Sequence, residues 1–432
     1  MSITIRAVGQ ASKRGAIPRL PSGERLIAEV DEWLAKAAAD TLRGRGSEGL
    51  PEGATSMDIQ LHPAARNVHI EAADGGRLTV SAVTSPVGPG YHTYVCRLLR
   101  RMGDELRIGW LPTGELGDDE ASRDTTGFFE SGDRADAERG HLAWLHGGLL
   151  AAQRARQRGD AALHLETPPE TRFTFSGALA TVLGPRSEEW LERAIGDPRV
   201  ATDVWPWVAD AMDARYLLGR ALAILWLEIR WRQATGPEEQ ALLDEVLTLL
   251  RRAYPLDPGL PYPWAAWREL LSLRDQPDPA MQQLVDRMAP TTDTDPPIGY
   301  RRAPVTIFHQ GWALDIPGSF SEHRGAEEWT GGEARRSITI AATETGEGGE
   351  PMTADAFLGR VAGHLGNDVL EHEDGPVRGR ARLSTETSSG IEVATVEGYS
   401  AVLGRGAVIR IVIDDPLDWK WALDTWRDLR PA

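Results

Sequence analysis

The strongest constraint on this chain is the stretch Asp203 to Tyr254, its longest sustained helical signal. Apolar residues recur there at three- and four-residue spacing: Leu218, Leu222, Leu225 and Ile229, then Leu242, Val246, Leu249 and Leu250. That period lines one face of an α-helix. Gly236 and Pro237 interrupt it, so the stretch reads as a helix pair, with Pro206 in a first turn behind Asp203. The apolar run Ala221 to Leu227 is closed by Arg220 and Glu228 and reads as buried core. No stretch reaches the ~18 apolar residues of a membrane span, and the first residues lack the ~7–15 apolar residues of a signal peptide. The expectation is a cytoplasmic protein with no membrane partner.

The 432 residues allow roughly two to four domains at ~100–200 residues each. The fold class read from them is a multidomain α+β chain, divided as 1–52 (arm and helix), 53–180 (small α+β domain), 187–289 (Trp-rich helical region) and 300–432 (antiparallel-sheet α+β domain). A disordered or strand-like arm containing Pro18 and Pro21 opens it, followed by an amphipathic helix from Ser22 to Leu42. Period-two segments MDIQL, NVHIEA and RLTVSAV then predict strands, YHTYVCRLLRRM a helix, LRIGW a strand, HLAWLHGGLLAAQ a helix, and ALHLETPPETRFTFSG a hairpin. Between Ser187 and Met288 lie Trp190, Trp205, Trp207, Trp226, Trp231, Trp264 and Trp267, which at helical spacing read as core and interface packing. PTTDTDPPIG is a linker. Beyond it the pattern predicts two strands in APVTIFHQGWALDIP, one in RRSITIAAT, a helix capped by Thr353, three further strands, and a last helix begun by Asp415 and Pro416 whose stripe is Trp419, Ala422, Trp426 and Leu429.

That C-terminal order resembles the PsbP-like superfamily. The residues carrying the resemblance are GWALDIPGSF, TADAFL, GRARLSTE and DDPLDWKWALDTWRDLR, all within 300–432. The resemblance implies an α/β/α sandwich with an antiparallel sheet, and a binding, accessory, chaperone or assembly role rather than an enzyme.

Few residues offer chemistry. His92 and Cys96, spaced i and i+4 on a predicted helix, share a face on which an imidazole could activate a thiolate. Tyr91, Val95, Leu98 and Leu99 make the same helix ordinary core, so no catalytic residue is assigned and this pair is kept as the alternative. His141 and His146 are five apart, about 140° around a helix, which suits one ion poorly. The acidic run Glu115, Asp118, Asp119, Glu120 and Asp124 lacks calcium-loop spacing and reads as a solvated loop. GEGGEP has no phosphate-loop ending. Neither metal nor cofactor is expected.

Net charge is −17, from 64 acids against 47 bases, which opposes broad nucleic-acid binding and favours basic or amphiphilic partners. Lysine occurs only at Lys13, Lys36 and Lys420, an arginine bias that fits a GC-rich bacterial genome. The basic group Arg97, Arg100, Arg101 and Arg107 reads as a solvated helix side paired with Asp104 and Glu105. The single Cys96 excludes an internal disulfide and fits a reducing compartment. The expected function is a non-enzymatic interaction protein: an adaptor, chaperone or accessory subunit of a bacterial secretion, conflict or defence system. The alternatives are a Cys-dependent hydrolase or transferase using His92 and Cys96, and a nucleic-acid or nucleotide sensor. A protein partner is expected through Trp312 and Trp329, read as exposed contacts because both sit in turn-rich segments. Composition leaves the oligomeric state open.

Overall fold

The computed structural model describes residues 2–13, 20–43, 50–51, 53–112, 122–159, 163–274, 276–289, 297–325, 327–347, 350–366, 368–388 and 391–432. The expected acidic run therefore lies outside the described residues except for Asp124, as does most of the 290–299 linker.

The N-terminal body is built on β1 (Thr4–Ala11), α1 (Gly23–Ala37), β2 (Ser56–Ile59), β3 (Val68–Ala73), β4 (Arg77–Val83), α2 (Pro89–Leu106), β5 (Ile108–Trp110), the short β6 (Arg123–Asp124), α3 (Phe128–Ser131) and α4 (Arg134–Gln157). Its antiparallel sheet runs β2-β3-β4-β1-β5, with β6 also on β1. The opening strand is thus central to a sheet and not part of a separate arm: Thr4 to Gln10 pair with Val83 back to Arg77, and Gly9 to Ala11 pair with β5. One face carries Ile5, Ala7, Ile70 and Val80, which share a core with Leu26, Ile27, Val30 and Leu34 of α1 and with Val95 and Leu99 of α2. Ser22 starts α1 by accepting the Arg25 amide at 3.4 Å.

Next come β7 (Leu163–His164), β8 (Thr171–Phe173), β9 (Leu179–Thr181) and β10 (Gly184–Arg186). The expected hairpin is not formed: β7 lies parallel to β9, while β8 joins β11 far along the chain. The helical region holds α5 (Glu188–Gly196), a 3₁₀ turn at Pro198–Val204, α6 (Ala214–Leu227), α7 (Pro237–Ala253), α8 (Trp264–Ser272) and α9 (Pro279–Met288). The helix pair stands, but its first member begins at Ala214. Asp213 caps it through the amides of Arg215 and Tyr216, and Pro206 lies in the preceding loop rather than in a first turn. Arg43 fastens this region to the N-terminal body through Glu228 at 2.8 Å and Glu245 at 3.1 Å. Burial alone would lower the Arg43 pKa, but the two carboxylates outweigh it and keep the guanidinium charged.

The C-terminal part contains β11 (Val305–His309), β12 (Trp312–Ile316), β13 (Ser321–Arg324), β14 (Glu328–Glu333), β15 (Arg336–Glu344), β16 (Gly346–Glu347), β17 (Glu350–Pro351), α10 (Ala354–Val361), β18 (Leu370–Asp374), β19 (Val377–Ser388), β20 (Ile391–Val402), β21 (Arg405–Ile413), α11 (Trp419–Arg427) and β22 (Arg430–Pro431). Seven strands form one antiparallel sheet, β13-β14-β15-β21-β20-β19-β18, while β11 and β12 belong to a separate sheet, β22-β12-β11-β8. Successive side chains of a strand face opposite ways. Tyr399 and Ala401 of β20 accordingly pack with Phe357 and Leu358 of α10, whereas Ala394 and Val396 share the other core with Trp426 of α11. The two helices cover opposite faces, which is a sandwich. Gly398 makes room for the indole of Trp426, where an added Cβ would lie 2.5 Å from the ring. Ala422, Trp426 and Leu429 are buried as expected, but Trp419 is exposed.

Trp312 and Trp329 are not surface contacts: they are 1% and 0% exposed. On β14, alternation turns Trp329 inward beside Ile338 and Ile340, and Gly331 leaves the space its ring occupies. Trp312 opens β12 with strands on both sides. No helix among the described residues is long and apolar enough to cross a membrane.

Candidate functional site

Two neighbouring features stand out, a buried polar centre and an open apolar groove, and the segment Ser85–Gly90, which runs into the first turn of α2, is hydrogen-bonded to two tryptophans of the groove. Helix α2 is presented at a fixed angle by that segment. Gly88 has φ of 112°, a conformation that side chains resist, and a Cβ there would meet the Trp207 carbonyl at 2.6 Å. The Gly90 amide donates to the Trp207 carbonyl at 3.1 Å, the Trp207 amide to the Val87 carbonyl at 3.0 Å, and the Trp205 indole to the Ser85 carbonyl at 3.0 Å.

The polar centre is built on the first turns of α2. His92 Nδ1 lies 2.9 Å from Thr84 Oγ1, just beyond β4. Its Nε2 meets Asp124 at 3.2 Å, Thr126 Oγ1 at 2.9 Å and Cys96 Sγ at 3.6 Å. Asp124 is delivered by β6 and held by the amides of Thr126 at 2.8 Å and Phe129 at 2.7 Å. Burial would raise its carboxyl, but the His92 hydrogen bond and charge, with those two amides, outweigh it and hold the pKa at about 2. His141 on α4 stands edge-on to His92, with ring centres 5.6 Å apart. Burial first and then the charge of His92 press its pKa down to about 4.

The structure therefore unites residues that separate motifs suggested: the His92/Cys96 pair, the last acid of the acidic run, and the first histidine of His141/His146. His146 itself is exposed. Thr84 and Thr126 carried no sequence signal, since isolated threonines beside strands are common. As a nucleophile Cys96 is poorly placed. It is fully buried, and that burial, followed by the Asp124 carboxylate, pushes its thiol well above the ordinary range. The arginines of α2 are engaged as well: Arg97 with Asp210 at 2.6 Å, Arg101 with Glu105 at 2.7 Å, and Arg100 with the Phe128 carbonyl at 3.0 Å. The expected pairing with Glu105 is found, while the Arg97 partner comes from the distant Trp loop.

The groove is built around those two tryptophans. Residues 205–213, between the 3₁₀ turn and α6, form one bank, and Leu260 with Pro261 the other. It encloses about 420 Å³. Trp205 and Trp207 are buried in its floor, while Val208 and Met212 are exposed on its bank. An adjoining depression extends it past Asp213 to Leu256 and Asp257. Sequence periodicity had assigned these tryptophans to helices; their loop conformation is what opens the groove.

No protein-family model matches this chain, and no curated protein does. Among solved structures it is similar to a protein of Bacteroides thetaiotaomicron, at 9% identity over 28% of this chain and a TM-score of 0.25. The chain spans 45% of that protein's length. It is also similar to a cyanobacterial PsbP of Synechocystis sp., at 9% identity over 34% of this chain and 99% of that one, with a TM-score of 0.18.

Proposed function

We propose that this chain is a non-enzymatic interaction protein, an adaptor, chaperone or accessory subunit of a bacterial multi-gene system, acting in the cytoplasm through a protein partner. The observation that carries the reading is the groove: apolar, floored by two tryptophans, and rimmed by exposed Val208, Met212 and Leu256. Exposed apolar side chains gathered around a concavity mark sites of protein association, and the buried tryptophans here give that rim a rigid floor. Asp203, Asp213 and Asp257 outnumber the single lining base, Arg215, on a chain of net charge −17, so an apolar partner segment with basic flanks fits this groove best. The PsbP-like resemblance of 300–432 adds support, since that superfamily is one of binding and accessory proteins. Speaking against the Cys-dependent alternative is the burial of Cys96, and against a nucleic-acid sensor the engagement of Arg97, Arg100 and Arg101.

The test uses the full chain, because residues 300–432 alone lack β8. Wild type and a Val208→Glu/Met212→Glu variant are offered to host extract, and any captured protein is purified and its affinity measured against both. Binding to wild type that is lost in the variant, with circular dichroism unchanged, supports the groove. Equal binding, or no specific partner for the wild type, overturns it.

A further inference from the structure

The polar centre has more ligating atoms than its hydrogen bonds require. A neutral imidazole offers one donor and one acceptor. His92 Nδ1 is taken by Thr84, so Nε2 alone faces Asp124, Thr126 and Cys96 together. That one nitrogen cannot bond a carboxylate, a hydroxyl and a thiol fully at once, so the three atoms converge on it with capacity to spare. Nearby, His141 gives Nδ1 to the Ala137 carbonyl at 2.8 Å. Its Nε2 is fully buried and has no partner within hydrogen-bonding distance, although the Thr84 backbone is near enough to influence it.

We propose that this centre is a structural metal site whose ligands are His92 Nε2, Cys96 Sγ and an Asp124 carboxylate oxygen, with His141, whose ring stands outside that three-atom cluster, turning Nε2 toward it as the fourth, and that the ion it takes is Zn²⁺. The ligand atoms of the first three lie within 4.8 Å of one another. Zinc bonds of about 2.0 Å to nitrogen or oxygen and about 2.3 Å to sulfur, arranged tetrahedrally, require edges of about 3.3 Å for N to O and about 3.5 Å for N to S. The corresponding separations here are 3.2 Å and 3.6 Å. One sulfur, two imidazoles and one carboxylate suit zinc better than the all-oxygen ions. The surroundings are those of an outer shell: Thr84 Oγ1 orients His92 through Nδ1, and two backbone amides fix Asp124. All four side chains have 1% exposure or less, so the centre is shut off from bulk solvent. When the ion binds, a Zn–S bond forms, the S–H bond breaks and the proton leaves to solvent. The thiolate and carboxylate then neutralise the dication. Such a site would clasp α2, β6 and α4 together, whatever the groove binds.

The experiment is to refold the full chain with Zn²⁺ or Co²⁺, remove excess metal by dialysis, and compare it with Cys96→Ala, Cys96→Ser and His141→Leu variants. Wild type is expected to retain one zinc per chain and to melt at higher temperature with metal than without. Its cobalt form should show thiolate-to-cobalt charge-transfer absorption, absent from both Cys96 variants. His141→Leu should keep that band but shift the visible d–d bands as the fourth ligand changes. A wild type that retains no metal overturns the proposal, as does cobalt bound without a thiolate band. Thiol labelling in denaturant, slower with zinc in wild type and insensitive to it otherwise, decides the matter should a variant fail to fold.

Discussion

The N-terminal sheet and the seven-stranded C-terminal sheet solve the same problem differently. Both are antiparallel and both bury helices, yet what lies against them differs in kind. Beside β1 and β4 the interior holds His62, Thr84, His92, Asp124 and His141, each of which needs a stated partner. Against the α11 face of the C-terminal sheet lie Ile338, Ile340, Val396, Ile409, Ile411, Ile413 and Trp426, which need only volume and shape. Apolar packing is non-directional and proportional to area, whereas a buried polar group unpaired costs about 1–3 kcal/mol. The first body is thus specified by geometry and the second by bulk.

The largest expected effect tests the second half of that contrast. Trp426→Ala should cost about 3–5 kcal/mol in urea unfolding of the C-terminal sheet, because two strands already carry glycine to admit the indole and little remains to fill the void. Asp124→Asn comes next. It keeps the shape but removes the charge facing His92, and should cost about 1–3 kcal/mol by the same measurement; a cost above that of Trp426→Ala would invert the comparison. A smaller effect is expected from pH. Burial first, and then Arg220 and Arg43, depress the pKa of His62 well below 6.5. Below that pH the unfolded chain takes up a proton that the folded chain refuses, so the His62 contribution is complete above about 6.5 and falls as pH drops, by up to about 1.4 kcal/mol per unit. Melting temperature against pH should therefore decline on the acid side, and a His62→Leu variant should flatten the slope. Least affected should be Val208→Glu, which changes thermal stability by less than about 0.5 kcal/mol while removing an exposed groove contact.

How much of this was readable in the residues follows the same division. Bulk patterns were legible: the α6/α7 pair, the strands at β15 and β19 to β21, and the stripe of α11 all declare themselves by period. The registers were not. β1 looked like a loose arm because its partners lie some seventy residues on, and β8 looked like half of a hairpin because its partner is β11. Trp312 and Trp329 were misread because neighbouring glycines suggest turns; in fact Gly331 is a vacancy cut for a ring. In the polar centre, the i,i+4 spacing identified His92 and Cys96. Asp124, 28 residues beyond Cys96 at the end of an acidic run, is joined to them only by the pairing of β6 with β1, a fact of topology that no local pattern records.

The central position of β1 bears on how the chain is made. Residues 4–11 leave the ribosome well before their neighbours on either side, 77–83 and 108–110, which follow only after most of the N-terminal body has been synthesised. At about 5–20 residues per second the strand waits several seconds with both edges unpaired. Its buried residues Ile5, Ala7, Val8 and Ala11 make it an aggregation hazard during that interval. Slower translation between the codons of residues 11 and 110 should then lower the soluble yield even where the finished fold is unchanged.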